Sequence, residues 1–187
     1  MQMSSFFSAL ALGSAALLAA HPAVAQQKLV PAQSEVQFTA RQMGVPLEGH
    51  FKKFDAQVSF DPAKLATSKI VFTVDTGSAT MGSRETDAEL PKATWFNVPQ
   101  FPQATFQSSA IKALGAGKFE VTGKLSIKGM ARDVVVPVTL VQNGATTMAT
   151  GALPLKRLAF KIGENEWADT SMVADDVQVK FKLALTG

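Results

Sequence analysis

Apolar and polar residues alternate with a period of two over most of the chain beyond residue 25. In residues 35–41, for example, Val36, Phe38 and Ala40 alternate with polar residues. This pattern is typical of β-strands that bury one face and expose the other. We therefore expect a protein made mainly of strands, without a long amphipathic helix.

Turn signals divide the alternating stretches into about eight strands, and Asn143-Gly144 is the strongest hairpin signal among them. The strands are predicted at 35–41, 54–60, 70–75, 103–112, 118–128, 133–142, 145–162 with a break at Pro154, and 173–183. Such a chain forms antiparallel sheets with one wet face, and closure into a barrel removes their exposed edges. A two-sheet sandwich also fits the alternation.

Two local features interrupt the strands. Phe51 has the opposite parity to the strand that follows it, which predicts a bulge near Lys52-Lys53. Pro137 lacks a backbone N–H, which predicts a bulge or an unpaired edge at that point of its strand.

The stretch 72–106 departs from the pattern of tight turns. A short polar helix is predicted from Ser83, as its cap, to Leu90. Trp95 and Phe96 then place two large rings in a connection, where polar residues are usual. We expect this segment to fold over one end of a barrel and to help close an apolar cavity.

The first 25 residues look like a targeting segment. Residues 6–20 form an apolar run that is short for a membrane span, and Ala23-Val24-Ala25 matches the small-x-small pattern of a cleavage site. We expect residues 1–25 to be a signal peptide removed after Ala25, which leaves 26–187 as one exported domain. An uncleaved anchor is the alternative, because no Lys or Arg precedes the run.

Composition excludes several kinds of site. Without cysteine, no disulfide or thiolate site can form, and His50 is the one histidine left after the signal peptide. We therefore expect no metal site and no enzyme, because a multi-His site and a complete catalytic set are both missing. The net charge is only +3, with Lys and Arg scattered, so we expect no nucleic-acid partner.

Several short motifs keep a common order over residues 34–185. They are Gly49-His50-Phe51-Lys52-Lys53-Phe54, Phe60-Asp61-Pro62, Ser78-Ala79-Thr80 with Arg84, Asp87 and Leu90, Trp95-Phe96, Phe101-Pro102, Thr105-Phe106-Gln107-Ser108, the run from Val121 to Gly129, Phe160-Lys161-Ile162-Gly163, and Val173-Ala174-Asp175-Asp176-Val177. In this set the chain resembles the YceI-like family of exported, lipocalin-like barrels that bind polyisoprenoids and related long-chain lipids. Gln42 and Glu89 depart from the pattern, because the family often has histidine at these positions.

The resemblance implies an all-β, eight-stranded antiparallel lipocalin-like barrel, capped at one end by the short helical segment and located in the periplasm. Its cargo would be a polyisoprenoid, such as an isoprenoid quinone, or another long-chain amphiphilic lipid. The lipid would be cargo, so no cofactor is expected. A transient contact with a membrane or a membrane redox protein, and a homodimer, are left open.

Aromatic residues on the inward face are the predicted lining of the cavity. They are Phe38, Phe54, Phe60, Phe72, Phe106, Phe160 and Phe181, with Trp95 and Phe96 at the covered end. The same rings can instead pack against one another, because an eight-stranded barrel either fills with side chains or holds one small ligand. A filled barrel would favour a stress-response or protein-interaction module without lipid cargo.

Polar residues near the predicted helix are candidates for holding a head group at the barrel mouth. They are Ser78, Thr80, Arg84, Asp87 and Asp175. Alternatively, the helix turns its charges to water. Asp175 shares the parity of inward valines, and we interpret it as structural, because a buried carboxylate needs a partner whatever its role.

Overall fold

Residues 26–187, which are the residues described by the computed structural model, contain eleven strands, one short α-helix and five short 3-10 helices. The strands are β1 (Gln26–Leu29), β2 (Glu35–Gln42), β3 (Val45–Phe51), β4 (Phe54–Ser59), β5 (Lys69–Asp75), β6 (Ala79–Thr80), β7 (Gln103–Gly115), β8 (Lys118–Ile127), β9 (Met130–Asn143), β10 (Thr146–Lys156) and β11 (Asp176–Thr186). The helix, α1, is Arg84–Glu89. The predicted signal peptide lies outside the described residues.

In three places, two consecutive strands form the two halves of one longer strand of the barrel, so the eleven strands make eight barrel strands. β1 leads into β2, β3 into β4, and β5 into β6. Each barrel strand pairs antiparallel with the next one in sequence. The first also pairs with the last, because β11 pairs with both β1 and β2. This closed barrel confirms the predicted fold class and excludes the sandwich.

Both predicted irregularities are confirmed. Lys52 and Lys53 separate β3 from β4, at the point where the parity of the inward residues changes. The ladder between β9 and β10 stops at Val138, next to Pro137, so the rest of β9 pairs with β8 alone.

Three other expectations were wrong. β10 is not broken at Pro154, which pairs with Gln178 of β11. At this point β10 has already lost its pairing with β9, so a missing N–H is tolerated as it is on an edge strand. Residues 157–160 form a 3-10 turn instead of a strand, and the Ser83 side chain makes no capping hydrogen bond to α1.

Within residues 26–187, the longest apolar helical segment falls well short of what a membrane crossing requires.

Three phenylalanine rings lie over glycines of the neighbouring strand. The pairs are Phe38 with Gly49, Phe181 with Gly151, and Phe106 with Gly123. A Cβ atom added to any of these glycines would lie between 2.3 and 2.5 Å from a ring carbon, far inside van der Waals contact. Each ring therefore lies against the wall, in the space that the side chain of any residue other than glycine would fill. It does not extend across the interior.

We expect Gly49→Ala to push the Phe38 ring into the barrel and to lower the free energy of unfolding by about 1–3 kcal/mol, the usual cost of overpacking. Denaturant unfolding measures the loss. In a Phe38→Leu background the same substitution should cost less, because the smaller side chain leaves room for the new methyl group. An equal loss in both backgrounds would contradict this account of the pair.

Candidate functional site

The barrel encloses an apolar cavity of about 500 Å³. Inward side chains from all eight barrel strands line it, from Gln27 and Thr147 at one end to Gln42 and Glu89 at the other. The volume lies within the range of about 300–1,000 Å³ that is usual for small-molecule sites. The interior is therefore hollow and not filled by its own rings.

Eight of the nine predicted lining residues border this cavity. They are Phe38, Phe60, Phe72, Trp95, Phe96, Phe106, Phe160 and Phe181. Phe54 does not border it: its ring packs against Phe72, with centroids 6.0 Å apart, and against the apolar core cluster, and it borders a second groove. Aliphatic residues such as Val121 and Leu183, which the sequence analysis did not single out as lining, complete the surface between the rings. The role of these residues in binding stays a prediction.

Side chains close one end of the barrel. The rings of Phe60 and Phe119 meet edge to face there, with centroids 5.2 Å apart. The hairpin turns between β7 and β8 and between β9 and β10 lie at the same end and are short. The longer connection between β4 and β5, residues 60–68, lies at this end as well and contributes Phe60 to the aromatic pair.

Two long loops, residues 81–102 and 157–175, cover the opposite end. The N–H groups of Gly163 and Glu164 donate to the Thr94 carbonyl at 2.8 and 2.9 Å. The rings of Trp95 and Trp167 lie 5.5 Å apart, and both border the cavity. The predicted cap is thus confirmed, and the second loop, which the sequence did not indicate as a cover, completes it.

Arg157 holds the second loop in shape. The side chain is only 3% exposed, and its guanidinium donates five hydrogen bonds to main-chain carbonyls. The acceptors are the oxygens of Ile162, Gly163, Trp167, Val173 and Ala174, at 2.6–3.0 Å. Burial lowers the pKa of Arg157, while the negative charge of Asp175 opposes that effect. The guanidinium still stays charged, since arginine is not deprotonated in proteins.

Lys128 ties the same loop to the turn between β8 and β9. Its side chain is buried, and its Nζ donates to the Lys161 carbonyl at 2.6 Å and pairs with Glu164 at 2.9 Å. Two buried cations therefore fix residues 157–164 against the barrel. Both are satisfied by partners within the protein, although Arg157 also borders the cavity.

Asp87 anchors α1 to the end of β6. Its carboxylate accepts a hydrogen bond from the Thr80 hydroxyl at 2.5 Å and one from the Met81 N–H at 2.7 Å. The bond from Thr80, and next that from Met81, lower the pKa of Asp87; partial burial opposes them, and the charges of Lys52 and His50 add to them. This carboxylate is therefore occupied in holding the helix.

None of the five predicted mouth residues borders the cavity. Ser78 is buried and bonds to backbone groups of Lys53 and Asp75. Thr80 is bonded to Asp87, and Arg84 is exposed on the outer side of α1. The fifth, Asp175, accepts a hydrogen bond from the Leu158 N–H at 2.9 Å, in line with its structural interpretation.

The polar groups that border the cavity at this end are different ones. They are Arg41, Gln42, Thr76, Glu85, Thr86, Glu89 and Arg157. On α1, Thr86 shares a face with the buried Leu90, four residues later, and Glu85 and Glu89 flank that face. The helical period would have indicated this face, whereas the motif alone pointed to Arg84 and Asp87.

The site can enclose an apolar molecule but offers little chemistry. Glu89 forms an ion pair with Lys92 at the rim, and Glu85 is exposed to solvent. Within residues 26–187, no group of His, Asp and Glu side chains is arranged to hold a metal ion. The arrangement therefore favours binding through apolar contact, with polar groups confined to the two ends of the cavity.

We expect Arg157→Met to lower the free energy of unfolding by roughly 3 kcal/mol or more, because several carbonyls lose their donor and each unmade bond costs about 1–3 kcal/mol. Thermal and denaturant unfolding check this. Arg132→Met, on an exposed position of β9, is the matched control and should change stability by about 0.5 kcal/mol at most. Similar losses in the two variants would contradict the role of Arg157.

We expect the stabilisation from Asp87 to depend on pH. Because its folded-state pKa is lowered from 3.8, its contribution is present above that pH and is lost as the pH falls through the folded-state value. The difference in Tm between the wild type and Asp87→Asn should therefore shrink between pH 7 and pH 3. A Tm difference that stays constant, or that grows on acidification, would show that the carboxylate does not anchor the helix.

Comparison with known proteins agrees with this architecture. The YceI-like domain matches residues 27–185. A UPF0312 protein of Azotobacter vinelandii is 36% identical over 140 residues, which cover 73% of this chain and 72% of that protein. The crystal structure of Burkholderia cenocepacia BcnA is 51% identical and superimposes with a TM-score of 0.81, over 83% of this chain and 98% of that one.

A more distant structure shares the fold. It is a polyisoprenoid binding domain from Saccharophagus degradans implicated in plant cell wall breakdown, with a TM-score of 0.70 at 13% identity, over 86% of this chain and 98% of that one. At this identity the likeness shows the architecture alone. The domain match over nearly all of the described residues is what decides membership: the chain belongs to the YceI-like domain family.

Proposed function

We propose that this protein binds a polyisoprenoid, or another long-chain amphiphilic lipid, inside its barrel and carries it in the periplasm. The observation that carries the proposal is the hollow, apolar interior of about 500 Å³, which polar groups border only at its two ends. A cavity of this kind matches a molecule with a long apolar tail and a small polar end.

The energetics of tail burial support such a cargo. Each buried methylene contributes roughly 0.8 kcal/mol, so ten of them contribute about 8 kcal/mol before the costs of association. No catalytic group is needed for binding of this strength. A rigid wall also helps, because a preformed cavity loses little conformational entropy when the ligand enters.

The family supports the same cargo. The Saccharophagus degradans relative in fold is described as a polyisoprenoid binding domain. Transfer of that ligand to this chain is part of our proposal, and so is the periplasmic location, which depends on the signal peptide predicted at residues 1–25. Isoprenoid quinones are among the molecules that fit the cavity by chemistry.

The alternative of a protein-interaction or stress-response module has less support. It requires an interior filled by its own side chains, whereas this one is hollow. It would also be favoured by an exposed apolar patch around Trp167, but that ring is half-buried against Trp95.

Native mass spectrometry of the purified protein should show a co-purifying lipid or uptake of an added isoprenoid quinone. We expect Ala40→Trp, which places an indole in the cavity near its mouth, to reduce uptake at least tenfold, because the tail and the indole compete for the same volume. Ala113→Trp, the same change at an exposed position of β7, should leave uptake unchanged.

Thermal unfolding shows whether both tryptophan variants are folded before uptake is compared. A wild-type protein that neither carries nor accepts any long-chain lipid would overturn the proposed function. Equal uptake by the two variants would instead place the lipid outside the cavity.

A further inference from the structure

The hydrogen-bonded wall of the barrel has a gap between its first two barrel strands. β1 pairs with β4 up to the pair Lys28–Gln57, and β2 pairs with β3 from Gln37–His50 onward. Between these two ladders, residues 29–36 run beside 51–56 without a ladder pair. The first two barrel strands are therefore hydrogen-bonded to each other at both ends but not in the middle.

Backbone groups on both sides of the gap turn away from it. The Lys52 and Lys53 N–H groups donate to the carbonyl and the hydroxyl of Ser78, on the side of β6. On the other side, the Val30 N–H donates to the Ala184 carbonyl, on the side of β11. Because these groups are satisfied elsewhere, the gap can persist without unpaired donors along it.

A groove of about 670 Å³ lies on the outer surface over this gap. Val36 and Phe51 border both the groove and the central cavity. At these two residues the wall is therefore one side chain thick. Phe51 is half-buried, pairs with Ala79 of β6 and makes ring contacts with Phe38 and Phe96, at 5.3 and 6.0 Å, but has no ladder partner across the gap.

The rim of the groove is cationic. His50, Lys52 and Lys53 border it and are exposed, and Glu35 is the one carboxylate among its bordering residues. In the described part of the chain, neither lysine takes part in an ion pair. The charges of Lys52 and His50 contribute to the lowered pKa of Asp87, but the carboxylate oxygens of Asp87 are bonded to Thr80 and Met81 and form no ion pair with Lys52.

The groove and the barrel mouth thus differ in charge. The mouth carries both signs of charge, because Arg41 borders the cavity there together with Glu85 and Glu89, and Glu89 is paired with Lys92. The groove combines an apolar floor, which includes Val36, Phe51 and Phe54, with two exposed lysines that lack a partner. Exposed ammonium groups bind a phosphate or carboxylate, and an apolar surface beside them binds the hydrocarbon tail to which that group is joined.

We propose that this side groove is a second subsite, which binds the anionic head group of an amphiphile whose tail passes Phe51 into the central cavity. The inference rests on the proposed function, because it needs the cavity to accept the tail. It adds a preference: an isoprenoid that carries a phosphate binds more tightly than the corresponding alcohol, and Lys52 and Lys53 cause the difference.

The experiment compares farnesyl phosphate with farnesol, which have the same tail, and uses inorganic phosphate as a third probe. The two tryptophans, Trp95 and Trp167, both border the cavity, so their fluorescence reports a tail inside the barrel. We expect wild-type protein to bind farnesyl phosphate about tenfold more tightly than farnesol at low salt. Inorganic phosphate should leave the fluorescence unchanged, because it has no tail.

The double variant Lys52→Gln/Lys53→Gln should lose this preference while it binds farnesol as the wild type does. Lys112→Gln/Lys118→Gln removes the same charge from exposed positions of β7 and β8, remote from the groove, and should keep the preference. An equal loss in the two double variants would show a general effect of net charge and would overturn the subsite.

The outcomes separate this inference from the proposed function. If wild-type protein binds farnesol but shows no preference for the phosphate, the subsite is wrong and the lipid-binding barrel stands. If the wild type binds neither compound and carries no other lipid, the proposed function itself is wrong.

Discussion

Closure of the barrel between its first and last strands is the constraint on which the rest of this structure depends. β11 pairs with β10 on one side and with both β1 and β2 on the other, so the sheet has no long free edge in the described chain. Most backbone groups of the wall are therefore satisfied within the wall itself. Because the interior need not supply partners for them, it can be almost wholly apolar.

A hollow apolar interior forgoes the packing that stabilises an ordinary core, and the structure compensates at the wall and the cap. The phenylalanine rings that lie over Gly49, Gly123 and Gly151 bury apolar area against the sheet without crossing the lumen. At the covered end, Arg157 and Lys128 replace apolar packing with buried, fully bonded cations. The cavity is thus kept open by a rigid shell.

Polar groups are placed where they do not interfere with an apolar cargo. The buried charges at the cap are turned toward main-chain carbonyls, and Asp87 is turned toward Thr80 and Met81 at the end of β6. Groups of both charges, Arg41 with Glu85 and Glu89, border the mouth, whereas Lys52 and Lys53 outnumber the single carboxylate at the side groove, where the ladder between the first two barrel strands is interrupted.

The sequence by itself determined the class of fold and most of the lining. Period-two alternation predicts strands because successive side chains of a strand point to opposite faces, and that parity placed residues such as Phe38 and Phe181 on the cavity. The irregularities at Lys52-Lys53 and at Pro137 were also predicted, because a change of parity and a missing N–H donor are both visible in the local sequence. The cap was predicted because two adjacent large rings, Trp95 and Phe96, are unusual in a connection between strands.

Only the tertiary structure decided whether the barrel was full or hollow and which polar groups reach the cavity. Parity assigns a side chain to the inner face, but it does not say whether the side chain lies along the wall or extends toward the centre of the barrel. The Phe38 ring stays at the wall because it packs against Gly49 on the neighbouring strand. The predicted mouth residues Ser78, Thr80, Arg84, Asp87 and Asp175 lie off the cavity, because hydrogen bonds and the orientation of α1 turn them elsewhere. Such choices depend on partners far apart in the chain, which a local pattern does not contain.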